Sequence, residues 1–212
     1  MNSFFYKVNE KEYLVEVTHK RIRNIHYRFV DGVFKVSCPY IVTKSSIVKG
    51  LDKFAVKMIS RSEKEKPISE DYIYLFGSKV KIEKSGEISF TNGDKIIYKD
   101  YTDLDKKLHK MFLNILKEKV SYYSSKMNVP LYKVSLRNMK TRFGSNSKKT
   151  KSVHFSYVLI HFSHPIIDSV VVHELAHIIV YDHSQKFYDV VYKYCPNYDI
   201  YRKKLIRGEY SD

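Results

Sequence analysis

Short alternations of apolar and polar residues dominate the first hundred residues. A period of two is the pattern of a strand with one buried face. It predicts strands over 4–8, 13–18, 22–30, 33–38, 72–76, 79–83, 87–90 and 94–98. Asp31-Gly32 separates two of these runs and indicates a tight hairpin. Apolar positions from Ile47 to Ile59 recur at helical spacing instead, so we expect a small antiparallel sheet with one helix over 44–61.

The remainder of the chain has mainly helical periodicity. Apolar residues recur every three or four positions from Leu104 to Ile115, with Thr102 placed as a cap. The segment 168–180 is apolar nearly all round, which is typical of a buried helix. Together the patterns predict helices over 102–127, 168–180 and 184–194, and strands over 133–138 and 154–159. The fold class expected is therefore α+β, with a strand-rich region over 1–100 and a second domain over 101–212.

The composition is that of a chain with a substantial core. Of the 212 residues 43% are hydrophobic, which suits one large domain or two small ones. No apolar run approaches the ~20 residues of a membrane helix, and no basic-then-apolar leader stands at the N-terminus. Cys38 and Cys195 do not make a disulfide framework. We expect a soluble, cytoplasmic protein with no membrane partner.

A short motif within the apolar helix carries candidate chemistry. It reads His173-Glu174-Leu175-Ala176-His177. Two histidines four apart lie on one face of a helix, about one turn from each other, so both imidazoles can reach one metal ion. Glu174 stands between them, where its carboxylate can face the open coordination position. Ligands, an open position and a general base are what a zinc peptidase needs.

A third metal ligand is needed, because catalytic zinc usually takes three protein ligands. The candidates downstream of the motif are Asp182, His183, Asp189, Asp199 and Glu209. We favour His183, although on a straight helix a residue six positions after His177 would point elsewhere. The chain must therefore turn between them, and Tyr181-Asp182 is a suitable place because Asp tolerates the left-handed conformation. A bare motif of this kind occurs by chance in many helices, but here it lies on an apolar helix and is followed by a third histidine.

The charge of the chain suggests a different hypothesis. The formal net charge is +15, and the stretch 133–151 contains no acidic residue among Lys133, Arg137, Lys140, Arg142, Lys148, Lys149 and Lys151. Such a stretch is typical of phosphate binding, so the alternative is a nucleic-acid-associated protein whose metal site is mainly structural. A closed structural site needs a fourth protein ligand, and no well-spaced Cys or acid supplies one. The lysines also fit a solvated surface, because the chain is rich in Lys, Ile and Tyr and lacks Trp, the bias of an AT-rich genome.

The residues around the motif resemble a known family. The segment 169–177, with Asp182-His183-Ser184, resembles the active-site region of the YgjP-like metal-dependent hydrolases, which are related to the SprT-like zinc peptidases. Upstream, residues 137–147 read Arg-Asn-Met-Lys-Thr-Arg-Phe-Gly-Ser-Asn-Ser against the family's Arg-x-x-Lys-x-Arg-Trp-Gly-Ser-Cys-Ser. The chain departs from the family pattern at Phe143, Asn146 and Ser156-Tyr157.

The resemblance implies a zinc metallopeptidase that cleaves peptide or protein substrates. It implies a compact zincin-like domain made of a long helix, a small sheet, the helix with the motif, and closing helices. One Zn²⁺ per chain would be bound by His173, His177 and His183. Glu174 would act as the general base. The upstream segment would offer a sheet edge to an extended substrate, with Arg142, Gly144 and Ser145 as substrate-binding residues.

Overall fold

The computed structural model describes residues 3–62, 66–85, 89–91, 95–139 and 141–211, with the backbone alone at Arg61 and over 89–91. Within these ranges the chain forms two compact units, Met1–Glu65 and Lys66–Asp212. Helices and small mixed sheets occur in the same chain, so the predicted α+β class is confirmed. Among the residues described, no helix combines the length and the apolar character that a membrane span requires.

The first unit is a four-stranded sheet with one helix on its buried face. Its elements are β1 (Ser3–Val8), β2 (Lys11–His19), β3 (His26–Val30), β4 (Val33–Cys38) and α1 (Lys44–Ser62). The alternation along the strands directs every second side chain inward, where Val15 and Phe34 are fully buried. Leu51 of α1 is buried in the same core. Asp31 and Gly32 both have positive φ, 50° and 79°, which is the backbone of the tight hairpin that the sequence predicts.

The order of strands in this sheet is β1-β2-β4-β3, and it corrects one detail of the prediction. β1 pairs with β2 and β3 with β4 in antiparallel fashion, but β2 and β4 run parallel. The sheet is therefore mixed and not purely antiparallel. The reason lies in the loop after His19, which carries the chain past one strand position to the edge. β4 then returns between β2 and β3.

The described residues of the second unit form two sheets and four α-helices. Its elements are β5 (Tyr72–Leu75), β6 (Ser78–Lys84), β7 (Ser89–Thr91), β8 (Lys95–Tyr98), α2 (Tyr101–Met127), β9 (Lys133–Arg137), β10 (Gly144–Ser147), β11 (Ser152–Ser156), a 3₁₀ helix (Tyr157–His161), α3 (His164–Ile179), α4 (Gln185–Tyr194) and α5 (Tyr198–Arg207). The first sheet has the order β5-β6-β8-β7, and the second has the order β10-β11-β9. α3 packs against α2, α4, α5 and β10. The helix with the histidine motif is therefore central to this unit.

The division between the units does not fall at the predicted position after residue 100. Ile73, Val80 and Ile96 come from the strands before that position, and they are buried in one core with Phe112 of α2 and Val171 of α3. The strands β5 to β8 consequently belong with the helices that follow them. The compact units instead divide between Glu65 and Lys66.

Several element ends differ from the prediction for local reasons. α2 is capped by Asp100, whose Oδ1 accepts a hydrogen bond from the amide of Asp103 at 2.9 Å, and not by Thr102. The predicted strand over 154–159 ends at Ser156, and a 3₁₀ helix follows. α3 begins at His164, four residues before the predicted start, with proline in its first turn.

Candidate metal centre

α3 carries two of the three histidines because its sequence favours a buried helix with a defined end. Val171, Val172 and Leu175 have no exposed surface, so most faces of the helix are covered by protein. The helix ends where Val180 takes an extended conformation, with φ −123° and ψ 119°. Asp182 was predicted to make this turn in a left-handed conformation, but it is not among the residues with positive φ. The extended backbone at Val180 redirects the chain instead.

The turn brings His183 back to the two histidines of the helix. One nitrogen from each of His173, His177 and His183 lies within 4.8 Å of the others. The Nε2 atoms of His173 and His183 are 3.3 Å apart. Two ligand atoms that each lie about 2.0–2.1 Å from a tetrahedral ion are about 3.3 Å apart, so the spacing of His173 and His183 matches a metal such as zinc, and His177 is near enough to be a third ligand.

The other ring nitrogens of two histidines have protein partners. Nδ1 of His173 lies 2.8 Å from the hydroxyl of Tyr198, and Nδ1 of His177 lies 3.1 Å from the carbonyl oxygen of Tyr181. A carbonyl only accepts, so Nδ1 of His177 carries the proton and its Nε2 is left with a free lone pair. Contacts of this kind orient metal-binding imidazoles and fix their tautomers.

Both helix histidines are held in the neutral form that a metal ligand requires. Burial lowers the pKa of His173 to about 3, with further lowering by His177, His183 and Arg202. Burial also lowers the pKa of His177, and the neighbouring His183 adds to the effect. At neutral pH these imidazoles are therefore uncharged and able to bind a cation.

Glu174 lies beside the histidines and is almost completely buried, with 5% of its surface exposed. Burial raises the pKa of this carboxyl group to about 8, while the positive charge of Arg142 opposes the rise. Its carboxylate packs against Gly144 of β10. A Cβ atom at that position would lie 2.5 Å from Oε1 of Glu174, so only glycine leaves the carboxylate in place.

Asn146, also in β10, forms a hydrogen bond with α3. Its Nδ2 donates a hydrogen bond of 2.9 Å to the backbone oxygen of Glu174. Gly144 and Asn146 are two residues apart on a strand, so both point to the face that meets α3. The strand therefore contacts Glu174 at its carboxylate and at its backbone.

An open cavity of about 500 Å³ is lined by His173, His183 and Glu174, among others. Its lining includes Arg142 and Gly144, two of the predicted substrate-binding residues. Ser145, the third, lines a neighbouring cavity of about 460 Å³ with all three histidines. The structure thus brings all of the predicted site residues into one region, and their role in substrate binding stays a prediction.

Sequence reasoning missed Tyr198 and Arg202, both from α5. Tyr198 contacts His173, and Arg202 lines the larger cavity. Their distance along the chain from the motif hid them, and with 19 tyrosines no pattern singles out one of them. Tyr188 of α4 also lines the larger cavity. Tyr192, one turn further along the same helix, donates its hydroxyl to Asp199 at 3.0 Å.

Comparison with known proteins identifies the class of this chain. Residues 24–207 match the sequence model of a metallopeptidase domain, and this range contains the three histidines and Glu174. A metallopeptidase domain depends on a divalent metal ion, in keeping with the cluster described above. The matched domain is the YgjP-like one, and the chain belongs to the YgjP-like family.

Two solved structures are similar to part of the chain. Jannalysin of Methanocaldococcus jannaschii, a metallopeptidase zymogen, is 22% identical, with a TM-score of 0.41 over 44% of this chain and 95% of that one. Abylysin of Pyrococcus abyssi, also a metallopeptidase zymogen, is 17% identical, with a TM-score of 0.42 over 44% of this chain and 93% of that one. Among curated protein sequences, none matches significantly.

Proposed function

We propose that the protein is a zinc-dependent peptidase that hydrolyses peptide bonds with Glu174 as the general base. One observation carries the proposal. Three histidine nitrogens lie within 4.8 Å of one another, and the buried Glu174 lines the open cavity next to them. This is the donor set of a catalytic zinc site, three protein ligands with a position left for substrate or water.

The three histidines would hold one zinc ion per chain. Imidazole suits zinc among the common metals, and three neutral ligands leave the charge of the ion uncompensated. Zinc bound there would lower the pKa of a water molecule and polarise the scissile carbonyl. The contacts of His173 with Tyr198 and of His177 with the Tyr181 carbonyl would keep the ligands oriented.

Glu174 would transfer the proton. The positive charge of a bound zinc ion would oppose the effect of burial and favour the ionised form of Glu174. The carboxylate would then take a proton from the attacking water and give it to the leaving amine, so that one water and one amide become an acid and an amine. Gly144 leaves room for the carboxylate, and Asn146 holds the backbone of the same residue. The base is therefore positioned before substrate binds, which favours catalysis.

The alternative, a nucleic-acid-associated protein with a structural metal, receives less support. A closed structural site has four protein ligands, whereas the candidate cluster among the described residues has three. An intact, buried Glu174 beside an open cavity is also unnecessary for a structural metal.

Metal analysis combined with a proteolysis assay tests the proposal. We expect one zinc per chain, hydrolysis of unfolded protein or of a peptide library, loss of hydrolysis with a chelator, and recovery when zinc is added. Glu174→Gln should keep zinc and fold but lose hydrolysis, because an amide cannot accept the proton. Glu118→Gln, an exposed position on α2, is the matched control. Wild-type turnover in Glu174→Gln would disprove the general-base role.

His183→Ala tests the third metal ligand, for which the sequence alone gives the weakest evidence. This variant should bind zinc more weakly, because the cluster then keeps only two histidines. Competition with a chromogenic chelator gives the affinity. Full occupancy with unchanged affinity would remove His183 from the set of ligands.

A further inference from the structure

Two arginines face the cavity beside the histidine cluster. Arg142 lies just before β10, and Arg202 lies on α5, so they reach the cavity from different elements. Neither forms an ion pair or a hydrogen bond with a described residue, and both are exposed. Among the described residues that line the cavity, Glu174 is the only acidic one, and it is not within ion-pair distance of either arginine.

The remaining surface of this cavity is partly apolar. Val170 of α3 and Leu205 of α5 are buried and contribute to its wall, together with the partly buried Phe143. A volume of about 500 Å³ is within the range of about 300–1,000 Å³ that ligand-binding pockets span. Apolar walls with a few converging polar groups are the usual composition of such pockets.

We propose that this cavity binds a carboxylate of the peptide substrate, and that Arg142 and Arg202 determine this specificity. The carboxylate would belong to an Asp or Glu side chain, or to a free C-terminus. The inference rests on the proposed peptidase function and adds the class of substrate. Guanidinium groups bind carboxylates through two parallel hydrogen bonds, and partly apolar surroundings strengthen such bonds.

The arrangement also argues against a neutral or basic substrate group in this position. A lysine side chain in the cavity would meet two positive charges, and Glu174 would be its only acidic partner among the described lining residues. A neutral amide would leave both guanidinium groups without a charged partner. A carboxylate would therefore bind more tightly than either a lysine side chain or a neutral amide. A site that pairs its charges with a carboxylate discriminates strongly against analogues that lack this group.

The test uses the zinc-loaded full chain and a set of peptides that differ at one position. Glu, Gln or Lys is placed in turn at each position around the cleaved bond, with the C-terminus either free or amidated. We expect kcat/KM for the best Glu peptide or the free-acid peptide to exceed that of its neutral partner by on the order of tenfold to a hundredfold. The position of the preference separates the two sources of the carboxylate. Equal rates for acidic and neutral peptides would overturn the inference and leave the peptidase function standing.

Variants then assign the preference to the arginines. Arg202→Met and Arg142→Met should each lower the ratio of kcat/KM between acidic and neutral peptide, and Arg202→Glu should shift the preference toward the Lys peptide. Lys203→Met removes a charge from an exposed position of the same helix outside the cavity and should leave the ratio unchanged. A ratio that stays at its wild-type value in both arginine variants would overturn the assignment, even if all rates fall together.

Binding gives a measurement that does not depend on turnover. Fluorescence anisotropy of labelled Glu and Gln peptides with the Glu174→Gln protein should show tighter binding of the acidic peptide, by a similar factor. If no peptide is cleaved by the wild-type protein, the peptidase proposal fails, and this measurement still decides the inference. Equal affinity for both peptides would contradict it.

Discussion

At the scale of single residues, Gly144 determines where the carboxylate of Glu174 can lie. The contacts of a Cβ atom at this position would be 2.5 Å to Oε1, 2.7 Å to Cγ and 2.8 Å to Cδ of Glu174. Gly144 is not among the glycines with positive φ, so backbone conformation is not the reason for glycine here. The reason is the space that the carboxylate occupies.

Gly144→Ala should therefore impair hydrolysis more than it impairs folding. The added methyl group forces the carboxylate to move, and a displacement of about 1 Å in a catalytic group can cost on the order of 10²-fold in rate. We expect kcat/KM to fall by about that factor, with zinc content unchanged because no histidine is touched. Steady-state kinetics and metal analysis measure both.

A double-mutant cycle isolates the cause. In the Glu174→Ala background the methyl group has no carboxylate to displace, so Gly144→Ala should cost less free energy of unfolding there than in the wild type. An equal cost in the two backgrounds would show that the substitution acts elsewhere.

Tyr198 is a second residue whose effect can be predicted. If Nε2 of His173 binds metal, its Nδ1 carries a proton and donates it to the tyrosine hydroxyl at 2.8 Å. Tyr198→Phe removes this acceptor, so zinc affinity should fall by about 10–100-fold, the usual effect of losing such a contact. Competition with a chelator gives the affinity. Tyr192→Phe, which loses only a bond to Asp199, is the control and should bind zinc as the wild type does.

The histidine motif could be recognised in the sequence because residues four apart lie on the same face of a helix. His173, Glu174 and His177 needed no tertiary information for this reason. Tyr198 and Arg202 depend on how α5 packs against α3, and nothing in the local sequence encodes that contact. Local periodicity therefore predicted the residues at the centre of the site. The residues that contact them from α5 could be identified only from the three-dimensional structure.

At the scale of elements, α3 is fixed to α2 by an ion pair that lies largely out of solvent. Nζ of Lys119 is 2.7 Å from Oδ1 of Asp168, and the two side chains are 18% and 24% exposed. α3 begins four residues earlier than predicted, so Asp168 lies beyond its first turn, where it forms this ion pair with α2.

Lys119→Met should lower the free energy of unfolding by about 1.5–3 kcal/mol, because a hydrogen bond to a charged group is lost and Asp168 loses its cationic partner. The matched control is Lys107→Met on the same helix. Lys107 pairs with Asp103 at 3.5 Å on the surface, with the side chains 46% and 39% exposed, and such pairs contribute about 0–1 kcal/mol. Urea denaturation compares the two, and equal losses would contradict the argument.

The best-predicted elements were those with a local signal in the sequence, either residues that favour a turn or a regular spacing of apolar residues. The hairpin at Asp31-Gly32 is an example, since its two residues supply the positive φ values. The periodicity of the sequence did not predict β10, because Gly-Ser-Asn-Ser over 144–147 has little tendency to form a strand, and only the family resemblance implied a sheet edge there. It is a strand because it pairs with β11 and because Asn146 binds α3, and both are tertiary contacts.

At the scale of the whole molecule, the described residues form two hydrophobic cores. One contains Phe34 and Leu51, and the other contains Phe112 and the motif helix. The predicted boundary at residue 100 followed the change from strands to helices. Strand patterns show that a sheet exists, but they do not show which core its buried face joins. β5 to β8 join the core of the helices that follow them, and the sequence alone does not reveal this.

The positive charge allows a test of the nucleic-acid proposal. Lys148 and Lys149 are exposed in the basic stretch, while Lys140 of the same stretch lies outside the described residues. If this stretch binds phosphate, changing Lys148 and Lys149 to Glu should weaken binding of DNA or RNA of any sequence and reduce its salt dependence. A titration at near-physiological salt measures this, with zinc content as the control. Wild-type binding no tighter than that of an unrelated protein of equal charge would end the proposal.

The shared strand order of the two four-stranded sheets has a consequence for how the chain folds. Each sheet consists of two hairpins, β1–β2 with β3–β4 and β5–β6 with β7–β8, joined by one parallel pair. A hairpin closes within about 1–10 μs because its partners are near in sequence. The parallel pair joins residues farther apart, such as Val15 and Phe34, and closing such a loop costs more entropy. We therefore expect the docking of the two formed hairpins to be the slow step of refolding for each sheet. A substitution where β2 pairs with β4 should then slow refolding more than one on the outer edge strand.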